Sequence, residues 1–193
     1  MFFFFFKQKT AYDIDGRDGV QTCALPIWNR WVWYRLLNGG FRLAPFAGTD
    51  ALLNRMSAAR SVMDPLAGRV RSYSYVPGQT TKLDHLAWID AAARGNSFVS
   101  SGAVMLFTVN GEIPGSEIAI DAPGGTARVT AELDARWMGG LERAYFIVNG
   151  KTVAERALSG EKATVKLDID ITGSSWVACR VAEIGRASCR ERV

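Results

Sequence analysis

Histidine is nearly absent from this chain of 193 residues, which contains only one, His85. A metal centre built from several imidazoles is therefore excluded for the chain by itself. His85 lies in a predicted helix without partners at metal-ligand spacing. A lone histidine of this kind is more often structural than a ligand.

Cysteine is scarce as well. The chain has three cysteines, and two of them, Cys23 and Cys189, lie in the end segments described below. Only Cys179 remains, within an apolar strand pattern. The sequence therefore predicts neither a disulfide framework nor a cysteine-based metal site.

Long hydrophobic runs and a strong charge of one sign are also missing. No segment reaches the roughly 20 apolar residues of a membrane-spanning helix, and the formal net charge is only +4. Such a charge is too small to indicate a nucleic-acid-binding surface. We expect a soluble protein without a membrane span that does not bind nucleic acid, in a compartment that the sequence leaves open.

Two end segments, residues 1–28 and 183–193, do not look like ordinary protein sequence. Phe2 to Phe6 form a homopolymer, and Gly19 to Ile27 and Ile184 to Val193 resemble, when reverse-translated, the adapters of a short-read sequencing library. A secretory signal is the alternative, but the apolar run is too short and its positive charges follow it. We therefore predict that both segments are translated library DNA, that residues 1–28 are disordered and that the natural start is missing.

The chain after the first end segment alternates between helical and strand patterns. Apolar residues at helical spacing end at Gly39-Gly40, which predicts a helix with a glycine cap. Phe41 to Phe46 is predicted to be a buried strand, and Leu86 and Ile89 mark the apolar face of a later helix. The further predicted elements are a strand over Arg69–Val76, that helix over Leu83–Gly95 and a strand over Ser97–Gly102.

Gly48-Thr49-Asp50 follows the predicted strand and holds the best candidate for chemistry. Binding groups gather at the carboxyl ends of strands, and Asp50 offers a hard oxygen ligand for a divalent metal. The alternative is a carboxylate that caps a helix or stabilises a turn. Arg55 and Arg60 follow in an irregular segment, as candidates to contact an anionic substrate or as ordinary solvated side chains.

After Gly102 the pattern becomes all-β. The turns Val109-Asn-Gly111 and Val148-Asn-Gly150 carry the Asn-Gly pair of type I′ hairpins, and several strands with such turns predict a β-sandwich. Asp168 and Asp170 share one strand face and are candidates for calcium, although solvated alternation explains them too. The predicted strands are Val104–Val109, Glu117–Asp121, Thr126–Leu133, Ala144–Val148, Ala163–Ile171 and Trp176–Val181.

Three runs of residues, Trp33 to Asp50, Trp88 to Gly102 and Val148 to Gly150, resemble the C-terminal part of the CehA/McbA-type metallohydrolases of the PHP superfamily. The resemblance implies a distorted, incomplete α/β barrel with a cluster of divalent metals (Zn, Mn or Fe). These metals would activate water for attack on an ester or phosphoester-like bond of a small-molecule substrate. The resemblance places a metal ligand at Asp50. The chain departs from related barrels at Leu52, where they have histidine, and lacks the family's upstream histidine-rich motifs.

We therefore predict an incomplete, PHP-like α/β barrel remnant over residues 29–102 and an all-β sandwich over residues 103–182. The predicted function is that of a C-terminal fragment of a metal-dependent hydrolase, inactive as written and without bound metal. The alternative is a non-catalytic β-sandwich module that binds carbohydrate or protein. A remnant should expose the flank of Phe41 to Phe46 and the apolar helix before it, whereas a self-sufficient module should cover them.

Overall fold

The fold is given by a computed structural model that describes residues 2–3, 27–48, 68, 70–76, 78, 84–121 and 125–183. The described residues form two helices and ten strands. In chain order these are β1 (Phe2–Phe3), α1 (Ile27–Asn38), β2 (Arg71–Ser74), α2 (His85–Ala93), β3 (Ser97–Ser100), β4 (Val104–Val109), β5 (Glu117–Ile118), β6 (Thr126–Arg136), β7 (Leu141–Val148), β8 (Lys151–Ala157), β9 (Lys162–Thr172) and β10 (Ser175–Glu183).

The strands form three sheets. A three-stranded sheet has the order β4-β6-β9, a five-stranded sheet the order β5-β1-β10-β7-β8, and β2 pairs with β3 alone. Strands β6 and β9 are antiparallel along their whole length, from Thr126 opposite Thr172 to Arg136 opposite Lys162. The pairs β10–β7 and β7–β8 are antiparallel as well.

One hydrophobic core lies between the three-stranded and five-stranded sheets. Strand β6 alternates between exposed and buried positions, and Leu133 is fully buried together with Leu141 of β7. Across this core the ring of Phe107 lies 6.2 Å from the ring of Phe146. The period-2 alternation predicted for β6 is confirmed, and the two packed sheets are consistent with the predicted sandwich.

Strand β10 is buried on both faces. Val177 and Cys179 enter the core between the sheets, while the intervening Trp176 and Ala178 pack against Trp33 of α1. Successive side chains of a strand point to opposite faces, so β10 separates two apolar layers. Helix α1 therefore covers the outer face of the five-stranded sheet.

The two Asn-Gly turns have the predicted hairpin geometry. Asn110 and Gly111 have φ values of 52° and 85°, and Asn149 and Gly150 have values of 49° and 86°. Positive φ at both central residues is the mark of a type I′ turn, which matches the twist of the flanking strands. The second turn joins β7 to β8. The sequence pattern does not predict strand β8.

The α/β barrel remnant predicted over residues 29–102 is wrong. Residues 41–46 form no strand, and β2 and β3 pair antiparallel with each other instead of entering a parallel layer. Proline has no N–H for a strand ladder, and Pro45 interrupts the segment. Side chains hold its backbone instead: the hydroxyl of Ser72 accepts from the N–H of Ala47 (2.8 Å) and donates to its carbonyl (2.9 Å).

Both helices exist as predicted, but the buried face of α2 differs from the sequence pattern. Asp84 caps α2, where its carboxylate accepts from the N–H groups of Leu86 and Ala87 at 3.0 Å each. Leu86 and Ile89, on the predicted apolar face, are 65% and 53% exposed, whereas Ala91 is buried. Within the described part of the chain, neither helix has the length and hydrophobicity to cross a membrane.

Candidate functional site

The predicted metal ligand Asp50 and the predicted substrate contacts Arg55 and Arg60 lie outside the described residues. The described chain that leads towards Asp50 ends at Gly48, and it is held at two points. The hydroxyl of Ser72 bonds the N–H and the carbonyl of Ala47. The indole N–H of Trp33 donates to the carbonyl of Leu43 at 3.2 Å.

His85 is the first residue of α2 and is exposed. Its acidic neighbours in sequence have other roles: Asp84 caps the helix, and Asp90 pairs with Arg94 at 2.8 Å, one helical turn later. The structure does not bring these residues together around a common point. The prediction that His85 is structural stays a prediction.

The two aspartates considered for calcium belong to a polar ladder on the outer face of β6 and β9. Asp170 accepts from Arg128 at 2.8 Å, and Asp168 accepts from the hydroxyl of Thr130 at 2.8 Å. The hydrogen bond from Arg128 holds the pKa of Asp170 below its usual range. These cross-strand pairs explain both carboxylates without a cation.

The residues described by the structure include no group of three or more histidine, cysteine, aspartate or glutamate side chains that could hold a metal ion. The described residues by themselves therefore supply no donor set for the metal cluster that the family resemblance implies. No catalytic step through a metal follows from this part of the chain.

Two titratable groups take part in packing rather than in a reactive site: Cys179 is buried in the core and Tyr75 is half-buried. Burial raises the pKa of the Cys179 thiol far above its ordinary value. It also raises the pKa of Tyr75 to about 12, and the phenol donates to the carbonyl of Met105 at 2.7 Å. Neither side chain ionises near neutral pH, so neither serves as a nucleophile or base there.

A cleft of about 270 Å³ lies where the C-terminal end of α1 meets the start of β10 and the β7–β8 turn. Three chain segments distant in sequence form it. The residues that give it its chemistry are Asn38, Phe41, Arg42, Asn149, Ser174 and Trp176.

Amide side chains hold the floor of this cleft in place. The indole N–H of Trp176 donates to Oδ1 of Asn38 at 2.6 Å. The backbone N–H of Trp176 donates to Oδ1 of Asn149 at 3.0 Å, and the amide of Asn149 donates to the hydroxyl of Ser175 at 3.0 Å. The ring of Tyr34 lies 4.9 Å from Trp176 and supports it from α1.

The rim of the cleft combines an exposed aromatic ring with a paired charge. Phe41 is 59% exposed, and Ser174 is exposed in the turn before β10. The guanidinium of Arg42 forms a salt bridge with Glu117 at 2.7 Å. This partner offsets the positive charge that Arg42 brings to the cleft.

No protein-family model, no curated protein and no solved structure matches the chain. The resemblance of the sequence to metallohydrolases therefore stays a prediction.

Sequence reasoning did not find this cleft. Asn149 was predicted as a turn residue and Trp176 as a strand residue, but nothing in the sequence links either to Asn38, which lies 138 positions before Trp176. The available signal was the Asn38-Gly39-Gly40 helix end, since an amide at the last helical position is well placed to bond a neighbouring element.

Proposed function

We propose that the chain is the C-terminal part of a metal-dependent hydrolase of the CehA/McbA type, and that the described residues form its non-catalytic β-sandwich portion. In this proposal the described portion has no hydrolytic activity by itself. The catalytic domain, which acts on an ester or phosphoester-like bond, is a separate part of the natural polypeptide. The reaction class is inferred from the three runs of residues that resemble this family.

The observation that carries the proposal is the exposure of apolar side chains on both helices. On α1, Val32 and Leu36 are each 38% exposed; on α2, Leu86 is 65% exposed and Ile89 is 53% exposed. Scattered apolar residues are ordinary on a protein surface, but each helix here exposes a pair on one face, four residues apart on α1 and three apart on α2. Such faces are expected where a further domain of the same polypeptide packs.

Asp50 keeps its proposed role as a metal ligand contributed to that catalytic domain. The support is indirect: the backbone shortly before it is fixed at Ala47 by two hydrogen bonds to Ser72. A carboxylate that follows an anchored segment loses less conformational entropy on metal binding than one in a free loop.

The experiment compares this chain with the longer reading frame recovered from the same source DNA. Both proteins are purified, loaded with Zn²⁺ or Mn²⁺, assayed for bound metal by elemental analysis, and tested on a chromogenic phosphodiester and an ester. We expect metal binding and hydrolysis from the longer protein only. In the longer protein, Asp50→Ala should lower the metal content as well as the rate.

Asp64→Ala is the matched control, since it removes a carboxylate from the segment that follows Asp50. It should leave the metal content unchanged. Metal-dependent hydrolysis by the 193-residue chain, or a longer protein whose metal content is the same with and without Asp50, would contradict the proposal.

A further inference from the structure

We infer that the cleft between α1 and β10 binds a neutral, hydroxyl-rich ring of monosaccharide size. This binding activity belongs to the sandwich and does not depend on the hydrolase function proposed above. Three properties of the cleft lead to it: its volume, its balance of aromatic and polar groups, and its charge.

The volume sets the size of the ligand. Sites for drug-sized molecules occupy roughly 300–1,000 Å³, so a cleft of about 270 Å³ is suited to a single small ring. A nucleotide or a peptide segment would extend far beyond it.

The lining favours a ligand with one apolar face and several hydroxyl groups. Phe41 presents an exposed ring at one side, and Trp176 forms a floor that is only 3% exposed. Two polar groups lie beside these rings, the hydroxyl of Ser174 and the guanidinium of Arg42. The amide of Asn38 is already bonded to the Trp176 indole and to the carbonyl of Asn149 (3.4 Å), so it shapes the site without contacting the ligand. A pyranose ring matches this arrangement, because its C–H face packs on an aromatic ring while its hydroxyls both donate and accept hydrogen bonds.

The charge of the cleft excludes the two ionic alternatives. An anion would have to compete with Glu117, which already pairs with Arg42 at 2.7 Å. A cation would lie beside the guanidinium of the same pair. A neutral ligand neither competes with Glu117 nor is repelled by Arg42.

The cleft is also held in shape before any ligand arrives. Trp176 is fixed by hydrogen bonds from its indole to Asn38 (2.6 Å) and from its backbone to Asn149 (3.0 Å). Little conformational entropy is then lost at the floor on binding.

The test is a titration of the full ¹⁵N-labelled chain, followed by NMR, with glucose, galactose, mannose and N-acetylglucosamine. We expect saturable shifts with at least one of them, centred on the Trp176 indole N–H and the amides of Asn38 and Ser174. Sorbitol, which has the hydroxyls without the ring, and glucuronate, which adds a negative charge, should bind at least about tenfold more weakly.

Two variants and two controls decide whether the cleft is responsible. Phe41→Ala should weaken binding about tenfold or more, and Ser174→Ala, in an exposed turn where folding is not at risk, about threefold. Met138→Ala and Ser159→Ala remove an exposed apolar side chain and an exposed turn hydroxyl elsewhere and should bind as the parent does. The inference is overturned if no sugar gives saturable shifts, if glucuronate binds as tightly as the neutral sugars, or if the Ser174 and Phe41 variants match their controls.

Discussion

At the scale of single residues, the contact with the greatest consequence joins Asn38 to Trp176. It connects the last residue of α1 to the second residue of β10, across 138 positions, with a hydrogen bond of 2.6 Å. The indole is almost completely buried. A buried N–H without a partner is costly, so this one bond contributes to holding α1 on the sheet.

Asn38→Ala should therefore lower the free energy of unfolding by about 1–3 kcal/mol. The NMR chemical shift of the Trp176 indole proton should also change to the value of an N–H without a hydrogen bond. Denaturant unfolding measures the first effect. In a Trp176→Phe background the same substitution should cost much less, because the donor has been removed already. Equal costs in both backgrounds would show that Asn38 acts in another way.

Tyr75 supplies a second residue-scale prediction, concerning alkaline pH. Burial raises its pKa to about 12 in the folded protein, against about 10 in an unfolded chain. The contribution to stability is therefore complete below pH 10 and is lost as the pH rises towards 12. A difference of this size corresponds to about 2–3 kcal/mol.

Tyr75→Phe should flatten the fall in unfolding free energy between pH 10 and 12. At pH 7 it should cost about 1 kcal/mol, because the hydrogen bond to the Met105 carbonyl is lost. Urea unfolding across this pH range measures both effects. A Tyr75→Phe variant with the parent's slope would contradict the assignment.

At the scale of elements, the sandwich was largely predictable from the sequence. Alternation over β6 and β9 and the Asn-Gly pairs at Asn110 and Asn149 are local signals, and the structure confirms them. Strand β8 was missed because Lys151–Ala157 is short of apolar residues and almost wholly exposed. The segment 41–46 was read as a strand from its apolar residues, but Pro45 and the clamp by Ser72 hold it in an irregular conformation.

The helices show where a periodic pattern predicts an element without predicting its environment. The spacing of Leu86 and Ile89 correctly indicates a helix, but the buried residues of α2 are Ala91 and Ala92. An apolar stripe indicates only that a helix face is more stable when it is buried. It does not state whether the covering partner lies within the same chain.

The exposed face of α2 leads to a prediction about the purified chain. The double substitution Leu86→Ser and Ile89→Ser should reduce the fluorescence of a bound hydrophobic dye. It should change the unfolding free energy by no more than about 0.5 kcal/mol per site, since both side chains are exposed. Val153→Ser, which removes a single exposed apolar side chain from β8, should leave dye binding nearly unchanged. If the α2 variant bound as much dye as the parent, this face would not be the exposed apolar surface that the proposal requires.

At the scale of the whole molecule, the organising feature is β10, which has the core of the sandwich on one face and α1 on the other. The apolar strand pattern around Cys179 is a local signal, but no local signal indicated that Trp176 and Ala178 would be covered from the opposite side. Local periodicity reports which residues are apolar. The pairing of α1 with β10 depends on contacts between residues far apart in the chain, which no local pattern encodes.

The candidate sites also differ in whether the local sequence could reveal them. Asp50, Arg55 and Arg60 came from a resemblance and from their position after a predicted strand, and they lie outside the described residues. The cleft came from the structure alone, because its polar groups reach it from three separate segments. The proposed function therefore makes one claim about the whole molecule, that the described residues are the non-catalytic portion of a longer hydrolase.

The most direct test of that claim is long-read sequencing of the source DNA across the codon for Asn29. The account predicts that the natural reading frame upstream of this codon differs from the one that encodes Phe2 to Ile27. It should encode a further domain with a histidine-x-histidine pair at a strand end, as expected for a metal centre. Genomic DNA that encodes Phe2 to Ile27 in continuous frame with the rest would contradict the account and favour a sugar-binding sandwich as the whole function.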